Sequence, residues 1–346
     1  MKICFFAKVE SHDILKTVGF YADDVRILGE LGHDVTKAIT FAEITWDADV
    51  YYVWWWSWAF LPLLKAKLRG KPVVLCGVFD YDVPPRGVRV SYLDRPWWQQ
   101  WMQRINLRLV DANIFVSDFE FRQIPALFKV TNPRMIPCSV DSHKFSIGTD
   151  PKQPFILNIA WSGKYNAIRK CLPQIVEAFA QVSQTFPEVR LKMAGRQGEY
   201  HKQLVKLATN LGIADRVDFL GKIDEDLKIR LMQTCMVYMQ PTLFEGFGLA
   251  TAEAMACGAA IISSPAGAVA EVVGDAGSLV DGTNVDAIAK SLHQLLSDQK
   301  LNSELGAKAR ARVAELFSFE RRKHELSSVL ETVTRAKSAH ISDRKN

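Results

Sequence analysis

The first half of the chain alternates short apolar runs with amphipathic stretches. Residues 18–31 carry apolar positions at helical spacing and are followed by Gly32, as expected of an amphipathic helix. The remaining apolar runs are short, like buried strands, and lie at residues 2–7, 35–39, 49–53, 72–77 and 112–116. Strands that alternate with helices form parallel sheets covered on both faces. We therefore expect a doubly wound α/β domain over residues 1–145.

The same alternation restarts after residues 136–150, a segment rich in Pro, Ser, Gly and Asp that we interpret as a linker. Strands are predicted at 155–159, 190–193, 217–220, 236–239 and 260–263, and helices at 172–184, 202–210 and 303–334. We predict two Rossmann-like domains facing a cleft, with the second over residues 150–318. Residues 319–346 are expected to form a helix that packs back on the first domain, frayed from residue 336 onward.

The segment PTLFEGFGLATAEAMACGAAIISSP, residues 241–265, follows an apolar strand and carries a glycine-rich turn. Gly246 and Gly248 flank Phe247, and a helix is predicted from Leu249 to residue 257. The N-terminus of a helix presents free backbone N–H groups and a partial positive charge, which suits a pyrophosphate. The order of strand, glycine-rich turn and helix thus predicts an anion-binding site.

Two carboxylates frame this turn, with seven residues between them. Glu245 precedes the helix and Glu253 lies in its second turn, so they can reach different parts of one extended ligand. Carboxylates accept hydrogen bonds from pairs of hydroxyls, which favours a polyhydroxylated ligand such as a nucleotide sugar. The alternative interpretation is that Glu245 caps the helix and Glu253 is a surface residue.

This segment resembles the signature of glycosyltransferase family 4, retaining enzymes of the GT-B fold. The family pattern is Pro-Ser-x-x-Glu-Gly-Phe-Gly-Leu followed by Glu-Ala-Met-Ala-Cys-Gly; here Pro241-Thr242 stands for Pro-Ser, and the rest matches through Gly258. The resemblance extends over the second half of the chain and includes Met193-Ala194-Gly195, Asp215-Arg216-Val217 and Phe317-Ser318-Phe319. The first half resembles the family only in outline, because the glycine pair usual after the first strand is absent.

The resemblance implies roles for individual residues. Glu245 would contact the donor sugar and Glu253 the ribose, while Lys170 and a second cation, at Lys164 or Arg169, would clamp the diphosphate. The other implied donor contacts lie on the glycine-rich turn and on two loops assigned to the nucleobase: Gly246, Phe247, Gly248, Leu249, Gly195, Arg196, Lys222 and Ile223.

Asp80 follows the fourth strand, where many members of the family have a histidine, and is expected to be an acceptor-binding or catalytic residue. Lys170 lies at the start of a predicted helix, where a merely solvated lysine would be unfavourable next to the positive end of the dipole. Two cations and a helix N-terminus can stabilise a departing nucleoside diphosphate, so we expect no metal and no cofactor. The two Asp-x-Asp triplets, at residues 47–49 and 80–82, are weak signals for a metal.

Composition narrows the partners and the compartment. The 346 residues carry a net charge of +5, an excess too small to predict nucleic-acid binding but compatible with acidic ligands or an anionic membrane. The six cysteines form no Cys-x-x-Cys pair, which favours reduced thiols in the cytoplasm. Neither a signal peptide nor a membrane-spanning segment is predicted.

Two aromatic clusters stand out, at residues 51–58 and 95–101. Trp97, Trp101, Ile105 and Leu109 fall on one helical face, with arginines nearby. Three interpretations remain open for these clusters: core packing, stacking on an acceptor sugar, and membrane contact at the inner face through Trp97, Trp98 and Trp101.

Taken together, the sequence predicts a hexosyltransferase that moves a sugar from a UDP- or GDP-sugar to a glycan or lipid-linked acceptor. Such an enzyme would act in the synthesis of a cell-surface polysaccharide or glycoconjugate. The first domain would hold the acceptor and the second the nucleotide sugar. The alternatives are a non-catalytic subunit that binds nucleotide sugars, or another GT-B enzyme such as an epimerase or a phosphorylase.

Overall fold

The computed structural model describes residues 1–84 and 91–343. The backbone divides into two compact units, one formed by Met1–Ser139 with Phe317–Asn346 and the other by Val140–Leu316. Over the described residues, each unit contains one six-stranded parallel sheet. The predicted class, two Rossmann-like α/β sheets, is confirmed.

The sheet of the first unit has the strand order β2-β1-β3-β4-β5-β6. Its strands are β1 (Lys2–Ala7), β2 (Asp34–Ala38), β3 (Val50–Trp54), β4 (Val73–Gly77), β5 (Ala112–Phe115) and β6 (Pro133–Met135). The helices are α1 (Ile14–Thr17), α2 (Gly19–Glu30), α3 (Phe60–Leu68), α4 (Trp97–Leu109) and α5 (Asp118–Leu127). Every residue of β3, β4 and β5 is buried, as expected for parallel strands covered on both faces.

The sheet of the second unit has the order β12-β11-β10-β7-β8-β9. Its strands are β7 (Gln153–Ile159), β8 (Arg190–Ala194), β9 (Val217–Gly221), β10 (Cys235–Met239), β11 (Ala260–Ser263) and β12 (Ser278–Leu279). Its helices are α6 (Lys164–Arg169), α7 (Leu172–Ser183), α8 (His201–Asn210), α9 (Glu225–Thr234), α10 (Leu249–Ala256), α11 (Val269–Val273), α12 (Val285–Ser297) and α13 (Gln299–Leu316). An apolar core lies between one face of this sheet and α7 and α12.

The C-terminal region differs from the expectation of one helix with a frayed end. It forms two helices, α13 and then α14 (Phe319–Asp343), so the helix continues through residues expected to be frayed. Leu326, Leu330 and Val333 on α14 are buried within the first unit, and the Lys337 ammonium lies 3.2 Å from the Asp111 carboxylate. These tertiary contacts stabilise the helix beyond the point at which the local sequence predicts fraying. Within residues 1–84 and 91–343, no helix is both long and apolar enough to cross a bilayer.

Candidate functional site

The glycine-rich turn that leads into α10 is held in place by backbone contacts. The Leu243 amide donates to the Arg169 carbonyl at 2.7 Å, and the Thr242 hydroxyl donates to the same oxygen at 3.0 Å. On its other side, the Ala268 amide donates to the Glu245 carbonyl at 2.8 Å. The turn therefore joins the end of α6 to the segment before α11, and Glu245 lies at the junction.

The carboxylate of Glu245 collects three donors on one oxygen. Its Oε1 atom lies 2.8 Å from Lys170 Nζ and 3.3 Å from Arg169 Nη1. Gln240 Nε2 donates to the same oxygen at 3.3 Å. The side chains of Glu245, Arg169 and Lys170 are only 13–15% exposed, so two cations and one carboxylate share a nearly enclosed space with one net positive charge.

The charged groups of this cluster shift one another's pKa values. Burial raises the pKa of Glu245, but Lys170 and Arg169 outweigh that effect and hold the pKa at about 2. Burial lowers the pKa of Lys170, and the neighbouring Glu245 opposes that change. Glu245 is thus an anion at every ordinary pH. Lys170 lies at the C-terminal end of α6 and not at the predicted helix start, and its side chain is only 15% exposed, so its interpretation as a solvated lysine is wrong.

The tip of α10 begins at Gly248, whose backbone is left-handed at φ 91° and ψ 45°. A side chain would be strained in this conformation, and a Cβ atom would lie 3.0 Å from a methyl group of Val269. Because Gly248 is the N-cap and no side chain caps the helix, the interpretation of Glu245 as the cap is wrong. The first-turn amide groups of a helix have no acceptor within the helix, so this tip can receive an anion.

The predicted residues of the turn have different exposures. Phe247 is buried at 6%, while Gly246 and Leu249 are half-buried. The Phe247 side chain is therefore largely enclosed by its neighbours, and its contact with the donor stays a prediction.

Glu253 lies in the second turn of α10 and is only 5% exposed, so its interpretation as a surface residue is wrong. Lys228 Nζ lies 3.0 Å from its Oε2 atom. Burial raises the pKa of Glu253, with Lys228 opposing that change. Lys228 lies on α9, 25 positions before Glu253, and no local motif marks it, so the sequence did not predict this contact.

The two loops assigned to the nucleobase meet through their glycines. The Gly195 amide donates to the Gly221 carbonyl at 2.8 Å, which places the two loops side by side. Gly195 has φ 132°, and a Cβ atom there would collide with the Ala160 carbonyl. Arg196 and Lys222, the next residue in each loop, are exposed, and Ile223 is half-buried.

Lys164, at the start of α6, is exposed, and its backbone amide donates to the Glu199 carboxylate at 2.9 Å. The structure brings Arg169 and Lys170 to Glu245 and leaves the Lys164 side chain in solvent.

Asp80 lies in the first unit, directly after β4, with a left-handed backbone at φ 51°. The buried carboxylate of Glu120 accepts hydrogen bonds from the Phe79 amide at 3.0 Å and from the Asp80 amide at 3.2 Å. Glu120 lies on α5, 40 positions away from Asp80 in the sequence, and it fixes this loop. The partners of Glu120 are backbone amides, which leave no pattern in the sequence, so its role was not predictable.

The two aromatic clusters have different environments. Trp54 and Trp56 are buried at 1% and 2%, so most of the first cluster is core. In the second cluster Trp97, Trp98 and Trp101 are 79%, 47% and 55% exposed, so core packing is wrong for them. The buried face of α4 is partly polar, with Gln103 and Asn106, whereas its exposed face carries the tryptophans.

The aspartates of the first Asp-x-Asp triplet pair with lysines. The Asp47 carboxylate lies 2.5 Å from Lys2 Nζ, and the Asp49 carboxylate lies 2.9 Å from Lys71 Nζ. Over the part of the chain that the structure describes, no group of three or more His, Cys, Asp or Glu side chains could hold a metal ion.

Comparison with known proteins places this geometry in a family context. A model of the family "Glycosyl transferases group 1" matches residues 140–312, which fall within the second unit. A GDP-mannose-dependent monoacylated alpha-(1-6)-phosphatidylinositol monomannoside mannosyltransferase of Corynebacterium glutamicum is 26% identical over 321 residues, covering 87% of this chain and 81% of that protein.

A second relative matches slightly less than half of the chain, and a solved structure matches nearly all of it. A phosphatidyl-myo-inositol mannosyltransferase of Mycolicibacterium smegmatis is 34% identical over 158 residues, covering 45% of this chain and 40% of that protein. The structure of sucrose-phosphate synthase from Thermosynechococcus elongatus matches with a TM-score of 0.79 at 18% identity, covering 97% of this chain and 99% of that one. At this identity the structural match concerns the fold alone.

Proposed function

Because this chain belongs to the glycosyl transferases of group 1, we propose that it transfers mannose from GDP-mannose to a lipid-linked or glycan acceptor. That the chain is a GT-B glycosyltransferase follows from the family match and the fold. The identity of the donor, the identity of the acceptor and the stereochemistry of transfer are proposed here. The observation that carries it is the cluster of Glu245, Arg169 and Lys170 beside the uncapped tip of α10.

The charge of the cluster supports a nucleoside diphosphate as the leaving group. Negative charge develops on the diphosphate as the glycosidic bond to the donor breaks. Lys170 and Arg169, together with the amides of the α10 tip, supply positive charge in a nearly enclosed space where it is weakly screened. In this proposal they stabilise the leaving group without a metal ion or cofactor, and the Oε2 atom of Glu245 contacts the sugar.

The second carboxylate supports a ribose contact on the far side of the diphosphate. Glu253 is buried on the same helix whose tip would receive the phosphates. The glycine-linked loops that carry Arg196 and Lys222 are proposed to hold the guanine base. The names of two relatives contain mannosyltransferase, and one of them is GDP-mannose-dependent, which favours GDP-mannose over a UDP-sugar.

Membership of glycosyltransferase family 4, and with it retention at the anomeric carbon, is also part of the proposal. The Glu245 and Glu253 pair and the turn between them support it. In the first unit, Asp80 is proposed to contact the acceptor, because Glu120 fixes its loop at the end of β4.

The exposed face of α4 supports a place for the enzyme at the inner face of a membrane. Trp97 and Trp101 project from this face, and Arg108 is exposed near its end. Tryptophan and arginine together are typical of helices that lie in a membrane interface. The names of both relatives include phosphatidylinositol, which favours a lipid-linked acceptor.

The proposal is tested by donor binding and by transfer. Titration calorimetry with GDP, GDP-mannose and UDP-glucose should show GDP-mannose binding at least about tenfold more tightly than UDP-glucose. GDP release is then measured with phosphatidylinositol and its mannosides as acceptors, and NMR of the product reports the anomeric configuration. Preference for a UDP-sugar would refute the donor, and an inverted product would refute retention.

Glu245→Gln tests the site itself. Removing the carboxylate charge leaves both cations free for the diphosphate, so GDP affinity should be kept or increased while transfer is lost. Glu188→Gln, at an exposed position of the same unit, is the matched control and should behave as wild type. Full transfer by Glu245→Gln would show that the site lies elsewhere.

A further inference from the structure

Tyr238 and the residue that follows β10, Gln240, lie on the face of the strand opposite the apolar core. Val237 and Met239 point into that core, and successive side chains of a strand alternate between its faces. Tyr238 and Gln240 are 0% and 1% exposed, so two polar side chains are buried behind the candidate site. Buried polar groups require partners, and these two residues bond to each other.

The pair forms a chain of hydrogen bonds that ends on Glu245. The Tyr238 hydroxyl donates to Gln240 Oε1 at 2.5 Å, and Gln240 Nε2 donates to Glu245 Oε1 at 3.3 Å. The backbone of Gln240 is fixed at both ends of the residue. Its amide donates to the Ile262 carbonyl at 2.9 Å, and its carbonyl accepts from the Ser263 hydroxyl at 2.8 Å.

The hydroxyl of Tyr238 determines which way the Gln240 amide faces. A side-chain amide can turn over, and the reversed amide would point its oxygen at the Glu245 carboxylate. The Tyr238 hydroxyl donates to Gln240 Oε1, which keeps the Nε2 atom of the amide toward Glu245. Burial, with Glu253 and Glu245 nearby, raises the pKa of Tyr238 well above its usual value, so the hydroxyl keeps its proton.

We propose that Gln240, oriented by Tyr238, is a positioning residue that aims the Glu245 carboxylate at the donor sugar. Among the described residues, the donors around this carboxylate, Lys170, Arg169 and Gln240, all contact Oε1. This arrangement leaves Oε2 for the ligand. A carboxylate held by three donors cannot rotate without losing them, and correct orientation before reaction lowers the barrier. The inference rests on the proposed role of Glu245.

Two single variants test this chain of contacts. Gln240→Met keeps the length of the side chain and removes the donor, and Tyr238→Phe keeps the ring and removes the hydroxyl. Gln240→Met should lower kcat about tenfold, because the lost hydrogen bond reaches a charged group. Tyr238→Phe should lower it about fivefold, because the amide then samples both orientations. The KM for the donor should change less than about twofold in each variant.

The double variant separates positioning from general damage to the fold. If Tyr238 acts through Gln240, Tyr238→Phe should cost nothing further in a chain that already carries Gln240→Met. If Tyr238→Phe lowers kcat by the same factor with and without Gln240→Met, the proposed chain of contacts is wrong. GDP affinity is measured in parallel, and it should stay at the wild-type value because both substitutions leave the charges of Lys170 and Arg169 in place. Loss of GDP binding together with activity would indicate a collapsed site and contradict the proposal.

Glu245→Gln distinguishes failure of this inference from failure of the proposed function. If that variant loses transfer while Gln240→Met and Tyr238→Phe keep the wild-type kcat, only the positioning role is wrong. If Glu245→Gln also keeps full transfer, the role proposed for Glu245 is wrong and the chain of contacts has no catalytic target.

Discussion

Lys228 Nζ lies 3.0 Å from Glu253 Oε2, and the two side chains are only 21% and 7% exposed. The lysine therefore offsets the cost of keeping a carboxylate ionised in a buried place. Lys228 also lies 3.7 Å from Glu225, whose carboxylate is 2.6 Å from Lys144. Alternating charges thus extend from Glu253 toward the surface of the second unit.

Replacing Lys228 by methionine should weaken nucleotide binding in a pH-dependent way. The pKa of Glu253 is already raised by burial, and losing Lys228 raises it further. The groups facing Glu253 are Lys228, Glu225 and Lys144. The proposed ribose contact requires the ionised carboxylate, so affinity should be present above this pKa and be lost as the pH falls through it. In Lys228→Met that loss should begin at a higher pH than in the wild type.

Titration calorimetry with GDP across a pH series measures this shift. Lys206→Met, which removes an exposed lysine from α8 of the same unit, is the matched control and should follow the wild-type curve. Superimposable pH curves for Lys228→Met and the wild type would mean that the ionised form of Glu253 has no part in binding.

Lys170→Met and Lys164→Met should differ sharply in catalysis. Lys170 lies 2.8 Å from Glu245 and is nearly buried, whereas the Lys164 side chain is exposed. Loss of a cation that stabilises a leaving group costs about 100-fold in kcat, so that is the expected effect of Lys170→Met. Lys164→Met should change kcat less than about threefold, the scale of an exposed charge. Initial rates of GDP release give both values, and equal losses would make Lys164 part of the clamp.

The parts of the candidate site that could be predicted from the sequence are those whose residues are close together along the chain. Glu245, Gly248 and Glu253 lie in one segment whose strand, turn and helix are encoded locally. The buried strands were likewise predictable, because parallel strands covered on both faces are apolar throughout.

The parts that sequence reasoning missed depend on contacts between distant positions. Lys228 is 25 positions from Glu253, and Glu120 is 41 positions from Phe79. Gln240 is near Glu245 in sequence, but its role depends on the side-chain alternation of β10 and the hydroxyl of Tyr238. The apolar stripe of α4 was recognised, yet periodicity alone cannot say whether a stripe faces the core or the solvent.

Arg322→Met should destabilise the first unit strongly. The Arg322 guanidinium on α14 bonds both oxygens of Asp24 on α2, at 2.6 and 2.9 Å, and both residues are buried. Removing the cation leaves the carboxylate uncompensated, which costs about 3–5 kcal/mol. Adding Asp24→Asn to Arg322→Met should recover part of that loss, because neither position of the buried pair then carries a charge. Urea unfolding measures both variants, and an equal or larger loss in the double variant would contradict this account.

Trp97→Ala combined with Trp101→Ala should weaken binding to anionic vesicles. The two indoles are 79% and 55% exposed, and burying such side chains in a membrane interface stabilises binding by about 1–2 kcal/mol each. We expect at least about a tenfold loss in partitioning onto phosphatidylcholine vesicles that contain phosphatidylglycerol. Added salt should also weaken vesicle binding by the wild type, because it screens the attraction between the exposed Arg108 and the anionic lipid. Trp161→Ala, an exposed tryptophan of the second unit, is the control. If vesicle binding is unchanged and the KM for the acceptor rises instead, the indoles stack on the acceptor sugar and the membrane role is wrong.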